Sequence, residues 1–92
     1  MALPHEVDWL CARLALGMNY STRGPDGWAE YVLKNQSAER SAQLLSALND
    51  VVFGRYDMSE IDAAMRDHFE HIGLEFKGDV IDLFKQVKAA AV

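Results

Sequence analysis

Cysteine is almost absent from the 92 residues: Cys11 stands alone, which excludes an intramolecular disulfide framework and any CxxC metal or redox motif. No apolar run approaches the ~20 residues a membrane-spanning helix needs, and the start, Met1-Ala-Leu-Pro-His-Glu, lacks the basic segment of a signal peptide. A cytoplasmic location is therefore expected, with no membrane partner. Positive charge is also scarce. Nine Lys and Arg stand against fourteen Asp and Glu, for a net charge of −5. That sign argues against nucleic acid and anionic lipid, both of which are bound by neutralising phosphate. No GxSxG, HExxH, GxxxxGK[ST] or GxGxxG occurs, so hydrolase, zincin, P-loop and dinucleotide chemistry have no support. A chain this short buries roughly 60–65% of its unfolded surface, which leaves little room for a deep catalytic cleft.

What is present is helical periodicity. Val7, Leu10, Cys11, Leu14 and Met18 form one stripe, and Pro4 suits the first turn of that helix. Ser21-Thr-Arg-Gly-Pro-Asp-Gly27 is the clearest break, with Asp26 expected to cap a short helix carrying Trp28, Tyr31 and Val32. A third helix is expected from about Ser37 to Phe53, buried through Leu44, Leu45, Leu48, Val51 and Val52 and ended by Gly54. Asp57 with Glu60 three residues on reads as a capping box, and Tyr56 with Ile61 as a hydrophobic staple. Ile61, Met65, His68, Phe69 and Ile72 then form a stripe ended by Gly73, and a last helix carries Val80, Leu83, Phe84, Val87 and Ala91, with its Ala89–Val92 end expected to fray. The alternation at 72–76 is too brief to found a sheet. The predicted fold is all-α, a single-domain bundle of four to five helices over residues 1–92.

Acidity is concentrated in the second half. From Asp57 to Asp82 eight acids face only Arg66 and Lys77, a local charge of −6. Arg66 is spaced to pair with Asp62 and Glu70. Glu60, Asp67 and His71 share one helix flank; with Glu70, Glu75, Asp79 and Asp82 nearby in sequence, and Tyr56 as an aromatic neighbour, they make a candidate surface for a basic protein. The same acids would serve equally as a solvated face. His68-Phe-Glu-His71 invites a metal, but no second His or Cys pair accompanies it. No metal, cofactor or catalytic residue is assigned.

Three stretches carry a family resemblance: Trp28-Ala-Glu-Tyr-Val-Leu33, Ser37-Ala-Glu-Arg-Ser-Ala-Gln-Leu-Leu-Ser-Ala-Leu-Asn-Asp50, and Asp57-Met-Ser-Glu-Ile-Asp-Ala-Ala-Met65. Their order resembles that of small immunity proteins of bacterial contact-dependent growth inhibition systems, over about two-thirds of the chain. The resemblance implies a cytoplasmic protein, not an enzyme, that binds the C-terminal toxin domain of a delivered exoprotein, often a nuclease, and blocks it. Charge leads independently to a compatible partner, since a nuclease is basic where it meets phosphate. The alternative is a helical interaction module, an adaptor or a homodimer, with no toxin partner.

Overall fold

The structure is a computed structural model that describes residues 3–21 and 23–91. Met1 and Ala2 of the start, Thr22 of the turn and Val92 of the helix end lie outside the described residues. Five helices follow one another: α1 (His5–Tyr20), α2 (Pro25–Leu33), α3 (Ala38–Val52), α4 (Met58–His71) and α5 (Val80–Ala91). No strand occurs among the described residues, and the all-α expectation holds.

The helix boundaries follow from local chemistry. At α1, Pro4 is the N-cap and its carbonyl accepts from the Val7 and Asp8 amides at 3.1 Å each. Asp26 does not cap α2. Gly24, at φ 74°, takes that place and Pro25 stands at the first helical position, where its missing N–H costs nothing; Asp26 sits in the first turn instead, favourably placed against the helix dipole. Ser37 caps α3, its Oγ accepting from the Arg40 amide at 3.1 Å. Asp57 caps α4 as expected, its carboxylate accepting from the Ser59 amide and hydroxyl at 2.9 and 2.7 Å and also from the Glu60 amide. Those bonds hold the Asp57 carboxyl below its ordinary pKa.

Helices α3 and α4 end alike. In α4 the Leu74 amide reaches the Phe69 carbonyl at 2.9 Å and the Gly73 amide reaches that of Glu70 at 3.1 Å, with Gly73 at φ 71°. This is the Schellman closure, which needs a left-handed residue at the turn and brings an apolar residue back onto the last turn. In α3 Arg55 reaches Asp50 and Gly54 reaches Val51 in the same pattern, and the Arg55 guanidinium also pairs with the Asp50 carboxylate at 3.2 Å.

Helix α1 packs against α2, α3 and α4, and α5 packs against the same three helices. One contiguous core results, centred on Leu10, Leu14, Leu44, Ile61, Met65, Phe69 and Phe84. A radius of gyration of 11.9 Å matches the roughly 12 Å of a compact chain this long. The contact of α1 with α2 is close because Gly17 has no side chain: a Cβ there would lie 3.1 Å from Cβ of Tyr31. Cys11 is fully buried in the stripe. Desolvation, with Asp8 adding to it, pushes its thiol up to about 12, so it packs as a small neutral hydrophobe.

Candidate functional site

The acids gathered by sequence position lie on several surfaces. Glu60 and Asp67 project from α4 toward the start of α1, where they meet Asp8 and His5 around a shallow groove of about 800 Å³. Leu3, Ala63 and Ala64 complete its lining, and the alanines keep the floor low between the two helices. Half-buried His68 ties one wall to α4, its Nε2 lying 3.1 Å from Oδ1 of Asp8 across the α1–α4 contact. Three carboxylates from two helices thus rim one depression. Asp8 was not among the sequence candidates, because its partner is 60 residues away and helix azimuths compare residues of one helix only.

Glu70 and Glu75 belong to a second pocket, of about 340 Å³, formed where α4 turns into the segment leading to α5. Phe69, Gly73, Leu74, Phe76 and Arg66 are its other lining residues. Arg66 pairs with Asp62 at 2.9 Å as its spacing suggested, but the second expected pairing, to Glu70, does not form. Its remaining nitrogens turn to the carbonyls of Phe76 at 2.8 Å and Gly78 at 3.3 Å, fastening the α4–α5 segment to α4.

Tyr56 is separated from both. It is half-buried against the core, as a staple residue would be, and lines a third depression with Glu6, Gln43 and Asp50 between α1 and α3. Asp79 is a cap: its carboxylate accepts from the Ile81 amide at 2.9 Å. Asp82 is exposed in the first turn of α5 and accepts from Gln86 at 3.1 Å. His71 is exposed on the flank of Glu60 and Asp67, outside the groove lining. Among the described residues no three His, Cys, Asp or Glu side chains converge as a metal site.

A different chemistry occupies the far side of α1. Arg13 reaches the end of α2, where Nε donates to the Val32 carbonyl at 2.9 Å and Nη2 to those of Tyr31 at 2.8 Å and Lys34 at 3.3 Å. Trp9 has two guanidinium groups over its ring, Arg13 at 5.7 Å and Arg40 at 4.4 Å from the ring centre. The Trp9–Arg13 spacing of one helical turn is the sequence signal for this contact. No helix among the described residues is long and apolar enough to cross a membrane. Comparison with protein-family models, curated proteins and solved structures finds no match to this chain.

Proposed function

We propose that this protein is a binding protein of the immunity type, which docks a basic toxin domain in the cytoplasm on its acidic α1–α4 face and neutralises it without chemistry of its own. The observation that carries this reading is the groove in which Asp8, Glu60 and Asp67 converge from two helices over an alanine floor. A low floor admits a partner's side chains, and carboxylates on both walls attract a surface evolved to hold phosphate. The charge supplies fast encounter, which such surfaces raise by roughly 10–10³-fold. The rest of the segment from Asp57 to Asp82, six acids against Arg66 and Lys77 once Glu60 and Asp67 are set aside, extends the field beyond the groove.

The experiment tests the product of the adjacent gene for toxin activity, nuclease activity first, and titrates the protein into it. Activity is expected to fall linearly to zero at one equivalent, with a single complex eluting at the summed mass. Undiminished activity at excess protein, with the chain eluting alone or as a homodimer, rejects the immunity reading in favour of an interaction module.

A further inference from the structure

We propose that the pocket at the end of α4 receives an arginine side chain of the basic protein partner; the proposal rests on the reading that this partner is basic. One wall is aromatic. Half-buried Phe76 supplies the accessible ring, backed by the enclosed Phe69 with ring centres 5.3 Å apart at an interplanar angle of 32°, and Leu74 is folded against the core beside them by the Schellman closure. A planar guanidinium lies well on such a surface, because it is weakly hydrated and is attracted to the faces of rings.

The rim carries the complementary charge. Glu70 and Glu75 line the pocket, and their carboxylates have no hydrogen-bond or ion-pair partner among the described residues. The one cation in the lining, Arg66, does not compete for them: its charge is matched by Asp62 at 2.9 Å and two of its donors are held by the Phe76 and Gly78 carbonyls. Those same bonds fix the Phe76 backbone, so the wall is set before a partner arrives. The mouth stays open at Gly73, where a Cβ would meet no atom within 4 Å. Its volume, about 340 Å³, is at the small end of ligand pockets, which begin near ~300 Å³. A clamped aromatic wall and two unpartnered carboxylates together select a cation with a flat delocalised face over a compact hydrated ammonium.

The test needs no toxin. Acetyl-Gly-Arg-Gly-amide is titrated into the labelled full chain and followed by amide chemical shifts, beside the same peptide with citrulline, the neutral isostere, and with lysine. Shifts are expected at Phe69, Gly73, Glu75 and Phe76, with arginine about three- to tenfold tighter than citrulline and lysine between them. Glu70→Gln with Glu75→Gln, both at exposed positions, is expected to erase the arginine preference while leaving the rest of the spectrum in place; Phe76→Leu is expected to weaken all three peptides. Equal binding of arginine and citrulline, shifts confined to the α1–α4 groove, or no saturable shift each overturns the proposal. Peptide binding without toxin neutralisation would leave the pocket standing and reject the immunity reading, and the converse would do the opposite.

Discussion

Phe84→Ala is expected to cost about 3–5 kcal/mol, the range for removing a fully enclosed aromatic ring. Phe84 is completely buried in α5, among the largest enclosed side chains of the protein, and α5 packs against α2, α3 and α4. A cavity there therefore loosens several helix contacts at once. Domains of this size hold about 5–15 kcal/mol in total, and each kcal/mol shifts the melting temperature by roughly 4–8 °C. Melting should fall by on the order of 20 °C in a thermal circular-dichroism scan. Phe53→Ala is the comparison: the residue is 71% exposed, with the Lys88 ammonium 4.2 Å from its ring centre, so a change within about 1 kcal/mol is expected. If the two variants melt alike, α5 is not docked as described.

Arg13→Ala is the second large effect, of roughly 2–3 kcal/mol. The last carbonyls of a helix have no partner within it, and α2 is short. Arg13 serves three of the carbonyls there while its guanidinium also lies 5.4 Å from the Tyr31 ring centre. The positive charge stands at the negative end of the α2 dipole. Arg13→Lys should recover less than half of the loss, because one ammonium cannot reproduce the planar fork that reaches Val32 and Tyr31 together. Urea denaturation checks this through the midpoint, the slope being unchanged if only native contacts are lost, and hydrogen exchange should quicken first in α2. A lysine variant as stable as the original would show that charge alone, without the fork, holds α2.

The order and span of the helices were legible because their causes are local. Val7, Leu10, Cys11 and Leu14 of the first stripe are buried as their spacing indicated, while Met18 near the helix end is only half-buried, and Ser37 and Asp57 cap the helices they precede. Asp26 misled because Pro25 immediately before it fits the first helical position better than Asp26 fits a cap, shifting the start back to Gly24. The candidate surface was legible in part. Helical periodicity correctly kept Glu60 and Asp67 together, since both lie on α4. It had no means of adding Asp8, which arrives from another helix, or of separating Tyr56, which the α1–α3 contact draws elsewhere. Arg66 shows the same limit. Its pairing with Asp62 was readable at one-turn spacing, whereas the carbonyls of Phe76 and Gly78 that claim its other nitrogens lie beyond the end of the helix.

The proposed docking face is tested most directly by association kinetics. Glu60→Lys with Asp67→Lys reverses charge in the groove, and Asp26→Lys with Glu39→Lys makes the same change in net charge on α2 and α3. Stopped-flow mixing with the basic toxin domain at low salt should show the groove variant associating about tenfold or more slowly, with the gap closing as salt screens it. The α2–α3 variant should stay close to the original. Equal slowing of both variants would mean that net charge alone steers the encounter, and no slowing in either would contradict an acidic docking face altogether.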